Sequence, residues 1–174
     1  MNYGQIIRYD TANGPGFRLS LFVSGCSNHC EGCFQPETWN PKFGKEFTSR
    51  DENLLLESLI GRPHEGRITI LGGDPFEVYN QKDIAHLVDR IYKEIPYKNI
   101  WMYTGYLYED LINKDSSIHT EFTDGILRKI DVLVDGPFIL AQKDLRLRLK
   151  GSKNQRVIDM NETRKTGEIT IWRG

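Results

Sequence analysis

Apolar and polar positions along this chain fall into two alternating rhythms. Residues 17–23 (FRLSLFV) alternate with a period of two and are rich in β-formers, which predicts a strand running straight into Gly25 and Cys26. In TSRDENLLLESLIG, Leu55, Leu56 and Leu59 share one helical face. Ser49 and Glu52 read there as a capping box, and Gly61 with Pro63 as the stop. RITILGG (67–73) is a second strand closed by a Gly pair. Ile84, Leu87, Val88 and Ile91 recur at helical spacing until Pro96 ends the run. KNIWMYTG (98–105) and IDVLVDG (130–136) read as two more strands, with a short helix over 106–113 between them. RVID (156–159) and EITIW (168–172) read as further strands near the end.

Apolar runs ending in Gly and separated by amphipathic helices predict βα units, hence an α/β fold with a mostly parallel sheet. In such sheets ligands gather at the C-terminal edge of the strands, where the motifs below are expected. A full eight-unit barrel takes about 250 residues. With 174 residues and no repeat or long linker, the chain predicts a single domain built as an open, partial β/α barrel.

The net charge of −1 disfavours a general nucleic-acid binder, although KDLRLRLKGSKNQR (143–156) is locally basic and reads equally well as a solvated strand and loop. No stretch approaches the roughly 20 apolar residues of a spanning helix. MNYGQIIRYD lacks the pattern of a signal peptide. A cytoplasmic protein without membrane partners is the expectation.

All three cysteines, Cys26, Cys30 and Cys33, lie in SGCSNHCEGCF (24–34). Clustered thiols of odd number in a reducing compartment point to metal or redox chemistry rather than disulfides. A structural zinc site closes with four protein ligands, and an ordinary electron-transfer [4Fe–4S] cluster wants four cysteines. His29 is awkwardly close to Cys30 to be the fourth ligand. With three thiolates, one iron of a cluster keeps an open position. A zinc module and a passive electron carrier stay open as alternatives at this point.

The C-x3-C-x2-C spacing resembles the signature of the radical S-adenosylmethionine (SAM) superfamily. There three Cys hold a [4Fe–4S] cluster, and the amino and carboxylate groups of SAM occupy the fourth corner. LGGDPF (71–76) resembles the family's GGE segment, with Asp74 in place of Glu, and implies that Gly73 and Asp74 meet the SAM amino group. Where many members have an aromatic before the last Cys this chain has Gly32; Phe34, one place later, offers an aromatic face. NGPGFR (13–18), WMYTGY (101–106), VLVDGPF (132–138) and KGSKNQRV (150–157) are similar to segments of glycyl-radical-enzyme activases. They place Thr104, Asp135 and Asn154 among the cofactor-binding candidates, while Trp101 and Tyr103 read as core.

The motif set is most similar to the branch whose protein substrate is the anaerobic (class III) ribonucleoside-triphosphate reductase. The resemblance implies a flavodoxin- or ferredoxin-like one-electron donor, reductive SAM cleavage, and hydrogen abstraction from a glycine of the reductase to leave a glycyl radical. An activase of pyruvate formate-lyase is the nearest alternative. No acid–base triad is required, and none of His64, His86 and His119 is singled out as catalytic.

Overall fold

In the computed structural model, which describes residues 1–174, the four apolar runs lie side by side. β2 (Arg18–Val23), β4 (Arg67–Gly72), β5 (Asn99–Tyr103) and β6 (Val132–Asp135) are parallel neighbours in that order. Antiparallel strands flank them: β1 (Asn2–Asp10) and β3 (Lys45–Glu46) on one side, β7 (Arg156–Asp159) on the other. The sheet runs β3-β1-β2-β4-β5-β6-β7 and does not close on itself. The expected mixed α/β architecture with a parallel centre is present.

The period of two decides which residue faces where. Leu19, Leu21 and Val23 of β2, with Ile68, Ile70, Ile100, Met102 and Leu133, enter a 24-residue core. That core also takes Leu55, Leu56 and Leu59 of α1 (Ser49–Leu59) and Ile84, Leu87, Val88 and Ile91 of α2 (Val78–Glu94). Each such side chain is fully or almost fully buried, which contributes about 1.5–3 kcal/mol apiece before the entropy of ordering is charged. The alternate positions point the other way. Trp101, Val132, Val134 and Val157 form a second small core, while Phe22, Leu71 and Tyr103 line a cavity.

Arg18 fastens the opposite, N-terminal end of the parallel strands. It is 0% exposed, and burial pulls its guanidinium down to about 10, still charged at neutral pH. Nε donates to Thr69 Oγ1 at 2.7 Å, and the two terminal nitrogens reach Ile68 O (2.7 Å) and Asn99 Oδ1 (2.9 Å). The ring of Trp101 lies 5.2 Å from its carbon centre. The NGPGFR segment therefore sits away from the C-terminal edge where it was expected, although Ala12 and Asn13 touch the lower wall of the cavity.

Several local readings need correction. The capping box of α1 is Thr48 with Asp51, one residue earlier than Ser49 and Glu52. The sequence holds two overlapping frames, and Thr48 takes the extended cap conformation, freeing Glu52 to be buried beside His86 and Arg90. EITIW forms no strand: it runs extended beside β7 and makes one bridge, Ile158 to Ile171. The sequence reading also lacked β1, β3, α4 (Thr123–Leu127) and α5 (Met160–Thr166), while the expected helix over 106–113 is α3 (Tyr108–Ile112). No helix is long and apolar enough to cross a membrane.

Candidate functional site

β2, β4, β5 and β6 stop side by side, and the loops leaving them meet over a cavity of about 620 Å³. Cys26, Cys30 and Cys33 all line it, together with Gly72, Gly73 and Thr104. The cysteine loop is held by its backbone. Gly25 N–H donates to Thr38 O at 2.7 Å, Cys26 N–H to Trp39 O at 3.2 Å, and Cys33 N–H to Cys30 O at 3.1 Å. Ser27 N–H donates to Glu77 Oε1 at 2.6 Å.

A second seam joins this loop to the Gly-Gly turn. Gly73 N–H donates to Val23 O (2.8 Å) and Asp74 N–H to Gly25 O (2.7 Å). A Cβ on residue 73 would lie 2.4 Å from Gly25 O, so only glycine permits the approach. A Cβ on residue 105 would meet the Asn28 side-chain amide at 2.5 Å, so the Thr-Gly end of β5 also closes on this loop, here through a side chain.

Asp74 is the hub of these contacts. It is 0% exposed and accepts from Gly105 N–H (2.8 Å), Phe76 N–H (2.9 Å), Thr104 Oγ1 (2.9 and 3.0 Å) and Asn28 Nδ2 (3.3 Å). Burial pushes its carboxyl up to about 7 against the pull of those donors. The side chain is turned into the protein rather than into the cavity. Asn28 also donates to Cys26 Sγ at 3.6 Å, linking the hub to the first thiol. Neither Asn28 nor Glu77, which also accepts from Tyr106 OH at 3.0 Å, stood out in the sequence. The one available signal was position: Asn28 lies within the cysteine motif and Glu77 directly follows LGGDPF.

The three thiols are free, half-buried and share one cavity wall. Burial, then the charge of Asp74, pushes the Cys26 thiol up to about 11; coordination to iron would reverse this, because a coordinating thiol is deprotonated. His29 does not line the cavity, and its ring packs 4.7 Å from that of Trp39. No three His, Cys, Asp or Glu side chains converge as one metal ion requires. Three thiolates on one cavity match the anchors of a cluster, which sit on different irons, whereas a structural zinc site closes with four protein ligands.

The remaining candidates divide. Phe34, 69% exposed, stands at the cavity mouth with Phe138 at 5.8 Å and the Lys143 ammonium 5.0 Å over its ring. Gly32 turns the chain between Cys30 and Cys33 against Leu140. Thr104 lines the cavity, but its hydroxyl proton goes to Asp74. Asp135 and Asn154 do not line it. Asp135, buried, accepts from Arg156 Nε (2.9 Å) and Tyr108 N–H (2.8 Å). The Asn154 amide is used by Pro137 O (2.8 Å) and the Ser152 hydroxyl (2.7 Å). Trp101 is core as expected, whereas Tyr103 faces the cavity with its hydroxyl donating to Leu149 O at 3.0 Å.

Residues 12–158 match the family model described as a 4Fe-4S single cluster domain. The chain is 40% identical over 156 residues to the anaerobic ribonucleoside-triphosphate reductase-activating protein of Escherichia coli (strain K12), covering 89% of this chain and 96% of that protein. The protein of the same name from Vibrio cholerae is 38% identical over 156 residues, with the same coverage. That of Enterobacteria phage T4 is 36% identical over 159 residues, 90% of this chain and 93% of the relative.

Proposed function

Since this chain belongs to the family of anaerobic ribonucleoside-triphosphate reductase-activating proteins, with their 4Fe-4S single cluster domain, we propose that it installs a glycyl radical on such a reductase. A [4Fe–4S] cluster held by the three thiols would supply one electron to SAM, whose S–C5′ bond would break to release methionine and a 5′-deoxyadenosyl radical able to take a hydrogen atom from a glycine of the reductase. A flavodoxin- or ferredoxin-like protein is the electron source in this reading, and the reducing cytoplasm its setting. The open sheet is read as a partial β/α barrel of the radical SAM type, because four parallel strands deliver all the site loops to one edge.

The observation that carries the reading is that Cys26, Cys30 and Cys33, the chain's three thiols, all line one cavity beside the Gly-Gly turn, in a chain matched over residues 12–158 by a 4Fe-4S single cluster domain. The chain's own residues then hold and orient. Cys26, Cys30 and Cys33 anchor three irons. The Gly72–Gly73 backbone, pinned by the seam to Gly25, presents peptide groups to the amino end of SAM. Asp74 acts through position: it fixes the Gly-Gly turn, Thr104 and Asn28 relative to one another. Phe34 offers an aromatic face for the adenine at the mouth. Asp135 and Asn154 support the wall formed by residues 136–155.

The test is anaerobic reconstitution with iron and sulfide, then incubation with SAM, a reductant and the reductase. About four irons per chain, 5′-deoxyadenosine release and an organic-radical resonance on the reductase support the proposal. One zinc per chain with no iron uptake and intact SAM would refute it, as would a radical formed on pyruvate formate-lyase alone.

A further inference from the structure

The basic run over 143–156 has no part in the site chemistry, yet it forms part of the cavity rim. Residues 139–153 fold back on themselves, with Lys143 bridged to Ser152 and Lys153 N–H donating to Gln142 O at 3.0 Å. Within this strap the side chains alternate. Leu145, Leu147 and Leu149 line the cavity, whereas Arg146 and Arg148 between them do not and are exposed. Leu145 is 86% exposed, and Phe34, on the same cavity, is 69% exposed. An apolar lip of this kind at a cavity mouth is the part of a surface that a partner covers.

The outer face has one sign. Arg146, Arg148 and Lys153 are exposed and lie off the cavity lining, whereas Lys143, Lys150 and the one acid of the strap, Asp144, line it, on a chain whose net charge is −1. Asp144 is held by Arg146 at 2.9 Å, and the Lys150 ammonium is turned back to Gln155 O at 2.7 Å. Arg148 has no such partner and is free to meet an anion. Leucines rather than aromatics separate the cations, which suits a peptide with apolar and acidic side chains better than the bases of a nucleic acid.

We propose that residues 143–153 are the docking strap for the reductase, receiving an extended glycine-bearing segment flanked by acidic residues. The leucines and Phe34 pack against the apolar side chains of that segment as the glycine enters the cavity. Arg148 pairs with one acidic flank directly, and Arg146 exchanges Asp144 for the other, which fixes the register. This assignment rests on the function proposed above.

Binding of the cluster-loaded full chain to the reductase is measured at low and moderate salt, for wild type, Arg146→Glu/Arg148→Glu and Arg146→Lys/Arg148→Lys. SAM cleavage by chemical reductant without reductase is measured in parallel. Charge reversal is expected to weaken binding about tenfold or more and to flatten its salt dependence. The lysine pair should bind nearly as wild type, and all three proteins should cleave SAM equally. Unchanged affinity and salt dependence after charge reversal would overturn the strap, as would wild-type binding that ignores salt. Loss of wild-type SAM cleavage would instead overturn the proposed function, since binding is read separately. Single-stranded DNA binding that needs these arginines, with reductase binding untouched, would also reject the assignment.

Discussion

The carboxylate of Asp74 accepts the peptide N–H of Gly105 at 2.8 Å, joining the ends of two parallel strands whose residues are 31 apart in the chain. The same carboxylate holds Thr104 and Asn28, so one buried acid sets the spacing between the Gly-Gly turn, the Thr-Gly turn and the cysteine loop. Asp74→Ala removes the acceptor and leaves buried donors from Gly105 and Phe76 unpaired. A loss of about 2–4 kcal/mol is expected in urea unfolding, with reduced iron retention. Asp74→Asn keeps one acceptor oxygen and should lose less. Equal stability of wild type and Asp74→Ala would contradict this role.

Asn28 should tune the cluster rather than hold it. Its amide donates to Cys26 Sγ at 3.6 Å, and such bonds stabilise the more negative, reduced state. Asn28→Leu is expected to retain iron but to be harder to reduce, which a redox titration followed by electron paramagnetic resonance reads directly. An unchanged potential would show that the contact carries no electronic weight.

Arg18 should matter to folding and not to chemistry. Arg18→Met strips buried partners from Thr69, Ile68 and Asn99, and a loss of about 3 kcal/mol is expected in denaturant unfolding of the cluster-free protein. A change below about 1 kcal/mol would mean that the apolar replacement packs equally well.

The pairing of Glu109 with Arg156 gives an acid-side dependence. Hydrogen bonds from Arg156 hold the Glu109 carboxyl at about 2, below its ordinary 4.5. A depressed value means that the stabilisation is present above about 4.5 and disappears as pH falls towards 2. Because the Glu109 side chain is 54% exposed, screening leaves about 1 kcal/mol or less. The stability gap between wild type and Glu109→Gln should therefore be visible at pH 7 and shrink by about pH 3. A gap that is the same at both would exclude the ion pair as its source.

The parallel centre was legible in the sequence because β2, β4, β5 and β6 are apolar runs ending in or followed by Gly or Thr-Gly. β1 was not, since NYGQIIRYD is half-buried between β2 and the two-residue β3 and shows no clean alternation. The short α4 and α5 are held by tertiary contacts that no window of residues displays. Within the site, the thiols and the Gly-Gly turn were legible from spacing. What an acid does at such a turn was not: an Asp that meets a ligand and an Asp that braces three loops look alike until burial places the side chain. Tyr103 escaped for a related reason, since strand period says that it shares a face with Trp101 but not that this face turns from core to cavity along the strand.

Central to the proposed function is one corner of the cluster being left for SAM. Electron–nuclear double resonance on the reduced, reconstituted protein with SAM labelled at the methionine nitrogen and carboxylate tests this directly. The expected result is hyperfine coupling from both labels, lost in each of Cys26→Ala, Cys30→Ala and Cys33→Ala together with the cluster itself. A fully assembled cluster with no coupling to either label, and a protein side chain detected at the fourth iron, would contradict it.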